Sequence, residues 1–252
     1  MDVTTTALIL DDAHRDGSCL QAGAVVVGDL TTAYAVQSAL TALRLGRGGR
    51  QVGWKLGYTS AVMRAQMGID QPNHGPLLST MLVDDGGVVT GLTQPRVEPE
   101  IALVLSRAPV PGAGVEEVLA CCAHARAALE IVDSVWLDYD FDVEHNTADG
   151  SSAAGVVVGP ELPMAALADV EVRLESAGVV TGRGHGSDAG GHPAYALSWL
   201  ADSLAGHDRG LQPGDIVITG GLTAAVPLGP GGSVQATFEH ASMGSITVSV
   251  SR

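Results

Sequence analysis

The chain has 252 residues, a formal net charge of −15, 46% apolar and 16% charged residues, and 33 glycines. Such a length and apolar content suffice for one large domain with a full core, and they suit a compact, turn-rich globule rather than a disordered chain. The acidic balance and the lack of a basic cluster exclude nucleic acid as a partner, and no stretch is long and apolar enough to span a membrane.

The N-terminus, MDVTTTALILDDAHRDG, begins with an acid and lacks a charged n-region, so it is not read as a signal peptide. Residues 29–49, DLTTAYAVQSALTALRLGRGG, space Ala, Leu and Val as a helix, with Asp29 as cap and a Gly-rich exit. Residues 1–50 are taken as a helical N-terminal region. From VGWKLGYTS onward, short apolar runs alternate with turn residues such as VDDGGVV, PGAG and GPGG, so residues 51–252 read as a β-rich body forming one structural unit. Within it, residues 114–127, GVEEVLACCAHARA, are helical by composition, and ALEIVDSVWL after them reads as a strand. The segment GGHPAYALSWLADSLAGHDRG is a second helix ending at Gly210. GDIVITGGLTAAVPL, GSVQATFE and GSITVSVS return to strand and turn. Of the three Cys, Cys121 and Cys122 are adjacent, which fits neither a disulfide framework nor a thiolate metal site and points to a reducing cytoplasm.

The stretch QPRVEPEIALVLS, residues 94–106, carries two acids at the mouth of an apolar run. In an extended chain Glu98 and Glu100 share one face and Pro99 takes the other. Two ionised carboxylates side by side need a cation or open water, so the segment reads either as half of a divalent-metal site or as two solvated Glu at a strand entrance. Glu130, flanked by Leu129 and Ile131, is costly unless coordinated or paired with an arginine such as Arg96 or Arg126. Three oxygen ligands favour a hard cation, Mg²⁺ or Mn²⁺. Lys55 is the only lysine in the chain and has apolar or Gly neighbours. It reads either as a desolvated ammonium of lowered pKa, serving as proton donor or anion anchor, or as a snorkelling surface residue. No dinucleotide fingerprint, P-loop or G-x-S-x-G elbow is present, so no nucleotide cofactor and no acyl-enzyme are indicated. His192 reads as a turn or helix cap rather than a metal ligand.

GWKLGYTS, QPNHGPL, RVEPEIALVL, ALEIVDS, TADGSS, GGHPAYALSWLA and GDIVITGGLTAAVPL, in that order, resemble the 2-keto-4-pentenoate hydratase family. That family also contains the 4-oxalocrotonate decarboxylases and belongs to the fumarylacetoacetate hydrolase superfamily. The resemblance implies an α+β fold, a mixed β-roll with helices packed outside. It places a divalent metal on Glu98, Glu100 and Glu130, and makes Lys55 the active-site lysine. Ser152, with Ser151 and Asp149, falls near substrate-contacting positions, and Thr223 sits in the loop that closes over the substrate. A 2-oxo acid would chelate the metal, and the enolate so stabilised serves either water addition to a 2-hydroxy-2,4-dienoate or loss of CO₂ from a 2-oxo-hexenedioate.

Two positions depart from the pattern. Asn73 stands where many hydratases have an acid/base Asp in QPDFG, and its neighbour His74, an imidazole that ordinarily titrates near pH 6.5, is the candidate to replace it. Gly150 stands where the family commonly has Asn, which bears on Asp149, Ser151 and Ser152. The expectation is a metal-dependent hydro-lyase of the kind used after aromatic-ring cleavage, with a small 2-oxo or 2-hydroxy-dienoic acid as substrate and a homo-oligomeric state by resemblance. A carboxy-lyase is the alternative, a catalytically silent metal-binding or assembly protein the contrasting class, and a C–C hydrolase the weakest reading.

Overall fold

The computed structural model describes residues 2–21, 23–207 and 209–252. Helix α1, Val3–Asp16, starts where the Asp2 carboxylate accepts the Thr5 N–H at 3.0 Å and stops at Gly17, whose φ of 66° only glycine adopts cheaply. Helix α2, Leu30–Gly46, begins as expected at Asp29, which accepts the Thr32 N–H at 2.8 Å. The two helices pack on each other and bury Leu10, Ala33, Val36 and Leu40 against Val135 and Trp136 of the body.

The body runs through β1 (Gln51–Gly57), α3 (Ala61–Met67), β2 (Asn73–Leu78), β3 (Leu82–Val83), β4 (Arg96–Leu105), α4 (Val115–Leu119), β5 (Cys122–Val132), α5 (Val143–Ala148) and β6 (Ala153–Leu162). It continues with β7 (Glu171–Ser176), β8 (Val179–His185), α6 (Pro193–Ser203), β9 (Ile216–Ile218), β10 (Val226–Pro227), β11 (Ser233–His240) and β12 (Gly244–Ser251). One mixed sheet has the order β2-β1-β9-β4-β5-β6-β3 with β10 added to β4, and a second has the order β12-β11-β7-β8. Leu103, Leu129 and Val157 of the first sheet, Phe238 and Val248 of the second, and Leu197 and Leu200 of α6 share one core. This is the expected α+β arrangement, one mixed and one antiparallel sheet with flanking helices. Among the described residues, no helix is long and apolar enough to cross a membrane.

Two elements differ from expectation. Only Val115–Leu119 of the 114–127 segment is helical, and from Cys122 the chain is already β5. Pairing with β4, from Leu105 opposite Cys122 to Arg96 opposite Val132, buries Ala125, Ala127, Leu129 and Ile131, and that burial overrides the helix preference of the alanines. Helix α6 ends at Ser203 rather than near Gly210, with Asp208 outside the described residues. His192 is its cap, accepting the Ala194 N–H on Nδ1 at 3.0 Å.

Candidate active site

Strand parity sorts the first residues of the site. In the β1–β2 ladder, Lys55 stands opposite Gly75 and Gly57 opposite Asn73, whereas Trp54, Leu56, His74 and Pro76 belong to the other face. Both glycines permit close approach, since a Cβ on Gly57 would strike the Asn73 amide and one on Gly75 the Gly150 carbonyl.

On β4, Glu98 and Glu100 share a face, and β5 brings Glu130 directly opposite Glu98. One carboxylate oxygen from each of the three lies within 4.8 Å of the others. Burial, followed by repulsion from Glu130, pushes Glu98 up to about 7 and holds Glu100 well above the usual carboxylate range. Glu100 Oε2 accepts the Gly220 N–H at 2.8 Å, but Glu100 Oε1 and Glu130 Oε1 are buried with no hydrogen bond. Two buried oxygens without a hydrogen bond, within a cluster of three carboxylates this close, are a donor set that fits a divalent cation.

The protein's own countercharge is Lys55, which is buried rather than snorkelling. Its Nζ donates to the Ser151 carbonyl at 2.9 Å and Oγ at 3.3 Å, and forms an ion pair with Glu130 Oε1 at 3.2 Å without the angle of a hydrogen bond. Burial alone would depress the ammonium, as the lowered-pKa reading supposed, yet attraction from Glu130, Glu100 and Glu98 outweighs it and the pKa is raised. Neither proposed arginine reaches Glu130. Arg126 donates to the Gly159 carbonyl at 2.7 Å, and Arg96 lies 4.1 Å over the Tyr139 ring.

The loop before β6 supplies hydroxyls. Gly150, Ser151 and Ser152 are all left-handed, with φ of 73°, 57° and 56°, a conformation that costs a non-glycine residue about 1–3 kcal/mol. It is held by Ser151 N–H to the Asn146 carbonyl at 2.8 Å and Asp133 N–H to the Ser152 carbonyl at 2.9 Å. Ser151 Oγ donates to Asn73 Oδ1 at 3.0 Å, while Ser152 Oγ accepts from Asn146 Nδ2 at 2.9 Å. Lys55, Glu98, Glu130, Ser151 and Ser152 line a cavity of about 280 Å³. Val132, Tyr139, Phe141 and Ala225 add apolar lining to it, and Thr223 lines it from the loop after β9. Gly221 lets that loop approach the cluster, because a Cβ there would meet Glu98 Oε2 and displace that carboxylate.

Three expected site residues fall elsewhere. His74 is buried on the opposite face of β2, stacked on Tyr34 at 4.5 Å and edge-on to Trp54 at 5.2 Å. Burial pushes its pKa down to about 3, so it is neutral, and it does not line the cavity. Asp149 is buried behind the loop, with Oδ1 2.5 Å from His14 Nε2 and Oδ2 accepting the Val135 N–H at 3.2 Å, so it ties α1 to the body rather than facing a substrate. Asn73 is a brace: Nδ2 donates to Asn146 Oδ1 at 3.0 Å and Thr147 Oγ1 at 2.9 Å, and Oδ1 holds Ser151.

Sequence reasoning passed over Tyr58, Asn146, Tyr139 and Phe141. Tyr58 follows Gly57 with a φ of 57°, and its carbonyl and that of Thr59 are gripped by Arg64 Nη1 at 2.6 and 2.9 Å. No periodicity announces a left-handed tyrosine, and the link from Asn146 to Asn73 spans 73 residues of sequence.

The chain matches the fumarylacetoacetate (FAA) hydrolase C-terminal family over residues 52–251. It is 37% identical over 229 residues to the 2-keto-4-pentenoate hydratase of Burkholderia vietnamiensis, covering 84% of this chain and 87% of that one. It is 35% identical over 216 residues to the 4-oxalocrotonate decarboxylase of a Pseudomonas species, covering 82% and 81%. The solved 4-oxalocrotonate decarboxylase of Pseudomonas putida G7, complexed with magnesium and adipate, superposes with a TM-score of 0.89 at 30% identity, covering 99% of this chain and 96% of that one. The chain therefore belongs to the fumarylacetoacetate hydrolase family, among relatives named 2-keto-4-pentenoate hydratases and 4-oxalocrotonate decarboxylases.

Proposed function

We propose that the chain is a Mg²⁺-dependent hydratase that adds water to a 2-hydroxy-2,4-dienoate bearing a single carboxylate. The observation that carries this reading is the cavity's charge pattern. Among the described residues Lys55 is the only cationic side chain lining it and no arginine does, while Val132, Phe141, Tyr139 and Ala225 contribute apolar surface. A second carboxylate on the substrate would meet that apolar surface without a partner, at a cost of several kcal/mol.

Glu98, Glu100 and Glu130 would hold the cation, which when bound supplies a Lewis acid that stabilises the enolate form of a 2-oxo acid. The residues around it have separate tasks. Lys55 keeps a positive charge at Nζ beside the carboxylates and anchors the anionic head of the substrate. Ser152 Oγ, with Asn146 already donating to it, has its own proton free to offer into the cavity. Ser151 is turned away, toward Asn73, and steadies the lysine. Asn73 thus preserves the architecture of a position where many hydratases have Asp, without carrying a proton. The rings of Tyr139 and Phe141 exclude bulk water from the vinyl end. A homo-oligomer working in the cytoplasm belongs to the same reading, and three free cysteines support a reducing compartment.

Decarboxylation of a 2-oxo-hexenedioate is the second reading, favoured by the backbone match to the P. putida decarboxylase. A mass-resolved product assay with 2-hydroxypenta-2,4-dienoate and 2-hydroxyhexa-2,4-dienedioate, each with Mg²⁺ and with EDTA, separates them. A metal-dependent gain of water on the first substrate supports the hydratase, and loss of CO₂ from the second replaces it with the decarboxylase.

A further inference from the structure

Arg96 and Glu98 lie on the same face of β4, and Arg96 pairs across the ladder with Val132, the cavity residue two positions beyond Glu130. A guanidinium at that spot is well placed to receive an anion at the substrate's far end. It does not line the cavity, because the Tyr139 ring intervenes. Arg96 Cζ sits 4.1 Å from the ring centroid, and Tyr139 lines both the catalytic cavity and a second pocket that contains Arg96 and Asp138. Among the described residues the Arg96 guanidinium makes no hydrogen bond and no ion pair, although Asp138 lines the same pocket.

The ring is firmly set. Its hydroxyl reaches the carbonyls of Gln94 at 3.0 Å and Val132 at 3.1 Å, and the backbone is left-handed at both Asp138 (φ 58°) and Tyr139 (φ 63°). Two left-handed residues and a half-buried guanidinium stacked on its face fix the ring between Arg96 and the cavity.

We propose that Tyr139 is a specificity wall, screening Arg96 from the cavity so that substrates ending in a carboxylate are disfavoured and those with a neutral end are accepted. This rests on the hydratase reading for its choice of substrates, while the geometry is independent of the reaction. A Tyr139→Ala opening would expose a planar fork suited to a carboxylate.

The test uses Mg²⁺-loaded enzyme and two readouts. Calorimetric binding of adipate and hexanoate, which differ only in the far carboxylate, is compared in wild type, Tyr139→Ala and Tyr139→Ala/Arg96→Met. The ratio kcat/KM for the dienedioate over the dienoate is measured in parallel. Tyr139→Ala is expected to shift both ratios toward the diacid by about tenfold or more, the worth of one new charge-assisted contact, and Arg96→Met is expected to cancel the shift. Unchanged ratios in Tyr139→Ala, or a shift that survives Arg96→Met, overturn the wall. Should Tyr139→Ala fail to fold, Arg96→Met alone, which keeps the ring, decides. A ratio within about twofold of wild type supports screening, and a fall of about tenfold in diacid binding shows that the guanidinium already reaches the site. If wild type hydrates neither substrate, the hydratase reading fails, while the adipate and hexanoate comparison still judges the wall.

Discussion

Replacing Lys55 by Met removes, among the described residues, the one cation that the chain itself places beside the three clustered carboxylates. The residue is 5% exposed, and loss of its ammonium leaves Glu130 without its ion pair and the Ser151 carbonyl without its donor. Breaking a buried pair from one side costs about 3–5 kcal/mol, which for a domain of this size lowers Tm by about 6–20 °C. Methionine keeps most of the volume, so a cavity adds little. A divalent cation can substitute for the missing charge, so the deficit in EDTA should shrink when Mg²⁺ saturates the site. Thermal unfolding of wild type and variant, in EDTA and in Mg²⁺, gives the four numbers required. A variant as stable as wild type in EDTA would refute the reasoning, because it would mean that Lys55 is not the countercharge of the cluster.

Gly221→Ala puts a methyl against Glu98 Oε2, and Mg²⁺ affinity is expected to fall by about tenfold or more with little change in the stability of the metal-free protein, as read by calorimetry and melting together. His74 has a folded pKa near 3 against an ordinary 6.5, so the fold favours its neutral form. Its contribution is fully present above pH 6.5 and is lost as pH falls toward 3, by about 2 kcal/mol at pH 5, and His74→Phe should flatten the urea-denaturation stability curve between pH 6.5 and 5. An unaltered slope would show that the ring titrates normally. Asp149→Asn should lower stability by about 1–3 kcal/mol through its contacts with His14 and Val135, while leaving KM for the dienoate within about twofold; a large rise in KM would return Asp149 to the substrate site.

Local rules made parts of the molecule legible. Asp29 before an apolar helical stripe marked α2, because capping is decided within four residues. The alternation of Glu98, Pro99 and Glu100 survived into the structure because β4 is extended there, so two of the three carboxylates were placed by geometry alone. The third depended on register: Glu130 meets Glu98 only because β5 pairs antiparallel with β4, and nothing near residue 130 states that pairing. The same pairing turned an alanine-rich segment that favours a helix into a strand. His74 shows the converse, since a neighbour of Asn73 on a strand must point to the opposite face, and it was the β1–β2 ladder that decided which of the two faced Lys55. Tyr58 and Tyr139 were invisible for another reason, because left-handed backbone at a tyrosine is imposed by tertiary contacts such as the Arg64 grip and the Gln94 and Val132 carbonyls.

The central claim is that Glu98, Glu100 and Glu130 together hold one divalent cation. Calorimetric titration of Mg²⁺ into metal-free wild type and the three single Glu→Ala variants tests it most directly. One cation per chain is predicted for wild type, with affinity falling by about a hundredfold in every variant, as expected when one of three protein ligands is lost. Binding that persists at wild-type strength in Glu100→Ala or Glu130→Ala would contradict it and place the cation elsewhere.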